Sequence, residues 1–151
     1  MKKFLFLSLV ITGLFYACKK DGIGTKPILS FKSYSLDSIV PTTESLTLGV
    51  HVEDGDGDIE NKVGVGTIID SHTTGGRQDT VWTMKQMASI GANKGNKVKA
   101  DVLIPFGKEE IAFGNYPPLP KDSMHFVVFI LDNAGNSSDT IPTPKIAYRV
   151  E

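Results

Sequence analysis

Alternating apolar and polar positions recur along this chain, and they predict a succession of β-strands. The clearest run places Leu46, Leu48, Val50 and Val52 on one side and polar or small residues on the other, which is the period of a half-buried strand. No stretch shows helical periodicity over more than two turns. Seven strands are predicted: A (28–36), B (44–53), C (62–70), C′ or D (80–90), E (97–105), F (123–131) and G (137–150).

Seven short strands separated by turn residues predict an all-β fold, an immunoglobulin-like Greek-key β-sandwich of about seven antiparallel strands. Strand F is apolar on both sides, which indicates a central strand covered on both faces. Pro142 and Pro144 predict that strand G lies at a sheet edge. Trp82 is expected to pack in the core, and residues 85–90 fit either a strand or a single helical turn.

The first residues have the pattern of a secretory signal. Met1-Lys2-Lys3 precedes an apolar run over 4–17, a positive segment followed by a hydrophobic one. That run is shorter than the roughly 20 residues that a membrane-spanning helix needs. We therefore exclude residues 1–17 from the folded domain and predict a tether over 18–26 and the sandwich over 27–151.

The single cysteine, Cys18, falls where the apolar run ends, directly after Ala17. This ending resembles the bacterial lipoprotein signal, and the following Lys19-Lys20-Asp21 resembles the mature start of Bacteroidota-type lipoproteins. The resemblance implies that Cys18 is lipidated and holds the chain on a membrane of the cell envelope, the outer membrane being the expected one. A single cysteine allows no disulfide within the chain.

Composition narrows the classes of partner. The chain has 16 Lys+Arg against 17 Asp+Glu and a formal net charge of −1, without a basic cluster. A protein that binds nucleic acid needs a basic patch or stripe, so we expect no nucleic-acid partner.

The acidic loop Asp54-Gly55-Asp56-Gly57-Asp58 is the strongest candidate for chemistry. Glycine lets the backbone curl until alternate carboxylates point inward, and carboxylate and carbonyl oxygens are the ligands of calcium. The loop therefore predicts a Ca²⁺ site. The alternative is a solvated turn that binds nothing, because Asp and Gly are favoured turn residues.

The predicted topology adds a second segment to this site. In an immunoglobulin-like sandwich the B–C and F–G loops lie at one end, which brings the turn over 132–136 to the acidic loop. Asp132 and Asn136 are therefore expected to complete the cation shell with Asp54, Asp56 and Asp58. Because strand A begins where strand B ends, the tether should emerge at the same pole.

An Asp-Gly-Asp loop paired with an Asp-x-x-Gly-Asn turn before the last strand is similar to cadherin-like domains of bacterial surface proteins. That resemblance implies that calcium stiffens the connection to the next segment. An EF-hand is excluded, because Ile59 stands where its loop needs glycine and Val65 where it needs a bidentate Glu.

Enzymatic patterns are missing from the sequence. His51, His72 and His125 share no metal-ligand spacing, and no serine lies in a G-x-S-x-G elbow. Glu109 and Glu110 are expected to be a solvated pair on a loop. We therefore expect a protein that is not an enzyme.

Three roles stay open. The first is a calcium-stabilised structural or binding module on the envelope. The second is an adhesin with a glycan or protein ligand on exposed aromatic residues, for which Tyr34, Tyr116 and the loop over 106–120 are candidates. The third is an accessory subunit of an envelope complex, which requires a sizeable apolar patch on one sheet face.

Overall fold

The computed structural model describes residues 24–72, 80–88, 95–112 and 121–149. Nine strands and one short helix occur there. Their bounds are β1 (Ile28–Tyr34), β2 (Ser38–Ile39), β3 (Ser45–Asp54), β4 (Lys62–Asp70), β5 (Val81–Gln86), β6 (Val98–Gly107), α1 (Lys108–Ala112), β7 (Ser123–Leu131), β8 (Ile141–Pro142) and β9 (Ile146–Tyr148).

The strands form two sheets, which confirms the predicted all-β sandwich. One sheet has the order β1-β3-β6, and the other has the order β2-β9-β7-β4-β5 with β8 also paired to β7. In immunoglobulin lettering these are A-B-E and G-F-C-C′. The pairing of β5 with β4 resolves the open assignment of the fourth strand as C′, since a D strand would pair with β6.

The core lies between the two sheets because the inward sides of the strands are apolar. Along β7, Met124, Phe126, Val128 and Ile130 are fully buried, whereas the residues between them are half-buried on the outer face. Phe126 stacks on Phe106 with ring centroids 4.6 Å apart. This alternation fixes the register of β7, because a slip of one residue would turn its apolar set outward.

Strand C and strand F were predicted with the bounds that β4 and β7 have, but two short elements were missed. Ser38 and Ile39 form β2, which pairs in parallel with β9, so the sandwich is not wholly antiparallel. Helix α1 lies inside the segment expected to be a loop. Glu109 and Glu110 lie in its first turn, and Glu110 pairs with Lys85 at 2.7 Å.

Strand G was predicted as one edge strand, and that prediction is correct only in part. The segment forms two short strands, β8 and β9, separated by residues 143–145. Strand β9 lies between β2 and β7 and is not an edge strand. Strand β8, which contains Pro142, pairs with β7 alone among the described strands, so the edge position predicted from Pro142 is confirmed for that part.

Among the residues that the structure describes, no helix is both long enough and apolar enough to cross a membrane.

Candidate metal centre

The acidic loop begins at the last residue of β3 and is closed by its own first carboxylate. Asp54 Oδ2 accepts hydrogen bonds from the backbone N–H groups of Gly57 at 2.8 Å and Asp58 at 3.1 Å. Gly57 has φ = 71°, a left-handed conformation that glycine adopts without the steric cost of a Cβ. The turn therefore folds back on Asp54.

This curl gathers the three carboxylates that the sequence singles out. One carboxylate oxygen from each of Asp54, Asp56 and Asp58 lies within 4.8 Å of the other two. Asp54 is 0% exposed and Asp58 is 7% exposed. In the described part of the chain, these residues form the one group of three or more potential ligands from Asp, Glu, His or Cys.

The electrostatics of the group are unfavourable for bare carboxylates. Burial raises the pKa of Asp54, and the negative charge of Asp56 raises it further. The buried Oδ1 atoms of Asp54 and Asp56 accept no hydrogen bond. A buried polar atom without a hydrogen-bond partner lowers the stability of the fold by about 1–3 kcal/mol. A cation or a hydrogen-bond donor beside these two oxygens would remove that cost.

Backbone hydrogen bonds tie the acidic loop to three other segments. Gly55 N donates to Gly24 O at 3.2 Å, Gly95 N donates to Asp56 O at 2.6 Å, and Asn133 N donates to Asp58 O at 2.9 Å. The loop therefore lies where the N-terminal segment, the connection after β5 and the turn after β7 meet. This is the convergence that the fold predicts for the B–C and F–G loops.

Asp132 and Asn136 lie at this pole, but their side chains bind each other. Asp132 is 0% exposed. Its Oδ1 accepts from Asn136 N at 2.7 Å, and its Oδ2 accepts from Asn136 Nδ2 at 2.8 Å. Asp132 is not among the carboxylates gathered within 4.8 Å. Asp132 and Asn136 therefore close the turn after β7, and neither side chain belongs to the group of three carboxylates.

The tether reaches the same pole, as the direction of β1 and β3 predicts. Besides the bond from Gly55 to Gly24, Asn136 Nδ2 donates to Thr25 O at 3.2 Å. Lys26 pairs with Asp139 at 2.6 Å. Cys18, which is expected to carry the lipid, lies outside the described residues.

Each histidine is paired with an aspartate, a feature that spacing in the sequence did not reveal. The Nδ1 atoms lie within hydrogen-bond distance of a carboxylate oxygen in three pairs: His51–Asp101 at 2.9 Å, His72–Asp122 at 2.7 Å and His125–Asp70 at 2.8 Å. The partners stand on neighbouring strands or loops, so only the strand register brings them together.

Trp82 is exposed, so the expectation of a core position was wrong. It is 51% exposed and Met84 is 49% exposed, because β5 is an edge strand and both residues lie on the outer face of its sheet. The Trp82 and Phe129 rings are 5.7 Å apart. The Gly64-Val65-Gly66 run makes room for them, since a Cβ on Gly64 would lie 2.2 Å from the Phe129 ring.

The aromatic residues predicted as candidates for ligand binding are, where the structure describes them, less accessible than Trp82. Tyr34 O–H lies 2.6 Å from Thr143 Oγ1 and donates to Pro144 O at 2.7 Å, and burial raises its pKa to about 12. Phe106 is 2% exposed. Both therefore pack in the domain and offer no platform, and Tyr116 lies outside the described residues.

No protein-family model and no curated protein sequence matches this chain. Among solved structures, the sporulation control protein Spo0M of Bacillus subtilis is similar, with a TM-score of 0.44 and 10% sequence identity. The match covers 83% of this chain and 50% of Spo0M, so the chain spans about half the length of that protein.

Proposed function

We propose that this chain is a lipid-anchored module of the cell envelope whose immunoglobulin-like domain is stabilised by one calcium ion, without catalytic activity of its own. One observation carries the proposal. The buried Oδ1 atoms of Asp54 and Asp56 accept no hydrogen bond, in a group of three carboxylates held within 4.8 Å. A cation would supply the missing partner for both atoms.

Calcium suits the donor set. Its oxygen ligands lie at about 2.3–2.6 Å, which puts ligands on opposite sides of the ion about 4.6–5.2 Å apart. The spacing within the group is compatible with those distances. Asp54, Asp56 and Asp58 would hold the ion, and Asp132 with Asn136 would brace the neighbouring turn.

The place of the group in the fold suggests what the ion does. The backbone groups of Gly55, Asp56 and Asp58 bond to three separate segments. An ion that fixes the acidic loop would therefore also fix the start of the domain, beside the tether. This supports a structural role at the junction with the membrane anchor.

Calcium is expected to raise the unfolding midpoint of the full-length chain. Saturation to one hundred times the dissociation constant adds about 2.7 kcal/mol, or about 5–10 °C for a domain of this size. Asp56→Asn with Asp58→Asn should abolish the rise, because two ligand charges are lost. Thermal unfolding followed by circular dichroism, with calcium and with a chelator, measures both effects.

The matched control is Asp37→Asn with Glu109→Gln, which removes the same charge from exposed positions outside the loop. It should keep the full response to calcium. No rise in the unmodified chain, or a rise that survives in the Asp56 and Asp58 variant, would contradict the site.

Lipidation is tested separately. Cells fed a fatty-acid probe should label the unmodified chain, and Cys18→Ala should lose the label because its thiol is the expected acceptor. An Asp56→Asn chain should label normally. Label retained on the Cys18→Ala chain would contradict the anchor.

A second candidate function is that of an accessory subunit which binds a protein partner through its outer sheet face. The exposure of Trp82 and Met84 beside Phe129 favours it, since adjoining exposed apolar side chains are typical of interaction sites.

A further inference from the structure

The outer edge of β6 lacks a strand partner in the described part of the chain. The pairing of β1 with β3 and of β3 with β6 shows which backbone groups of β6 face this outer edge. Ser35 N donates to Thr47 O, and Ser35 Oγ accepts from Thr47 N, so the backbone of Thr47 faces β1. Its β6 partner, Pro105, therefore faces away from β3, and Lys85 Nζ bonds Pro105 O at 2.5 Å on that side.

Backbone groups of alternate residues in a strand point to the same edge. Lys99, Asp101 and Leu103 therefore present their N–H and C=O groups at the outer edge, as Pro105 presents its carbonyl. Pro105 has no N–H and ends the stretch that can pair. The edge thus offers a short strand, over about 97–103, for pairing.

Apolar side chains flank this edge. Val98, Ala100 and Val102 face inward and are only half-buried. Ala100 and Val102 also line a groove of about 420 Å³ between β5 and β6. On the outer face, Leu103 is 67% exposed, the largest exposed fraction among the large hydrophobic residues that the structure describes. A strand that paired with this edge would cover the half-buried inward side chains and also Leu103.

The charges on the outer face of this sheet have a definite order. Lys99 lies opposite Glu53 on β3 and bonds it at 2.5 Å. Asp101 lies opposite His51 and pairs with it and with Lys32. At the edge itself, a positive residue and a negative residue therefore stand two positions apart.

We propose that a second copy of this chain pairs with the β6 edge, antiparallel and across a two-fold axis at Ala100. In that register each Lys99 lies opposite Asp101 of the partner subunit, and each Val98 lies opposite Val102 of the partner subunit. The charges on the outer face then alternate in sign across the contact, from Glu53 to Lys99 and on to Asp101 of the partner subunit. Opposite charges on facing strands stabilise a sheet, and like charges destabilise it.

The neighbouring registers lack this complementarity. An axis at Asp101 would place two aspartates directly opposite each other. An axis at Val102 would place Asp101 opposite Leu103 of the partner subunit. The contact at Ala100 is isologous, as a closed dimer requires.

A cysteine at the axis tests the register. In the full-length chain with Cys18→Ser, Ala100→Cys should form a covalent dimer on mild oxidation. The facing Cα atoms of a non-hydrogen-bonded pair are about 4.5 Å apart, within the range of about 4.4–6.8 Å that a disulfide spans. Val102→Cys is the matched control, since its mate would lie about 13–14 Å away along the strand.

Charge reversal tests the complementarity. Lys99→Glu and Asp101→Lys should each weaken dimerisation at least about tenfold, because each creates two like-charge pairs. An equal mixture of the two variants should form a heterodimer, in which both pairs are again opposite in charge. Lys108→Glu, in the exposed pair with Glu44, is the control and should dimerise like the unmodified chain.

Light scattering after size exclusion gives the masses, and circular dichroism confirms that each variant is folded. The proposal is overturned if the unmodified chain is monomeric up to about 1 mM. It is equally overturned if Ala100→Cys and Val102→Cys cross-link to the same extent, or if the mixed variants stay monomeric.

Discussion

Phe126→Ala is expected to lower the free energy of unfolding by about 3–5 kcal/mol, the cost of truncating a fully buried aromatic residue. Phe126 is 0% exposed, stacks on Phe106 and contacts Tyr34 with ring centroids 6.1 Å apart. Its removal leaves a cavity that both sheets line. Since a domain has only about 5–15 kcal/mol of stability, this variant should be marginally folded.

Denaturant unfolding measures the loss, and Phe129→Ala is the matched control. Phe129 lies on the same strand but faces outward and is half-buried, so its truncation should cost about 1 kcal/mol. Equal losses for the two variants would contradict the assignment of the inner and outer faces of β7.

Asp132→Ala is expected to cost about 2–3 kcal/mol, because it leaves the N–H of Asn136 without its acceptor. Asp132 is buried and closes the turn after β7 through both carboxylate oxygens. The same turn bonds the acidic loop from Asn133 N to Asp58 O. The variant should therefore also weaken the stabilisation by calcium.

The Asp132→Asn variant tests whether Asp132 only holds the turn in place or also binds the calcium ion. It keeps the shape and one acceptor oxygen, so we expect a smaller loss of stability and a preserved rise of the unfolding midpoint with calcium. If Asp132→Asn removed that rise as completely as the Asp56 and Asp58 variant, Asp132 would be a ligand after all. Calorimetric calcium titration of both variants gives the comparison.

Much of the fold could be predicted because period-2 patterning marks strands that are buried on at least one face. The bounds of β4 follow from such a run, whereas those of β7 follow from a continuous apolar run between polar turns. The shortest elements carry no such signal: β2 has two residues, and α1 has five, which is less than two helical turns. Their formation depends on tertiary contacts, such as the pairing of Ser38 with Ala147.

The position of Trp82 could not be read from its own strand. An aromatic residue on an alternating run fits an inner or an outer face equally well, and only sheet order shows that β5 is an edge. A signal was nevertheless present in the facing strand. Gly64 and Gly66 are unusual inside a strand, where glycine often marks a close approach of other groups.

The acidic site was predictable in part. Alternation of Asp and Gly indicated that Asp54, Asp56 and Asp58 would converge, and the fold indicated which turn would meet them. The role of Asp132 needed the local geometry, since an aspartate that begins a turn can bond the backbone of that turn as readily as a metal.

The pairing of β2 with β9 has a consequence for the order in which the domain folds. Ser38 and Ile39 lie beside Ala147 and Tyr148, and Arg149 N donates to Ile39 O at 2.8 Å. The sheet therefore joins its earliest strand to its latest, a contact of long sequence separation that slows folding. Until residues 146–149 have been synthesised, β2 lacks its partner β9, so this sheet reaches its full strand order only late in synthesis.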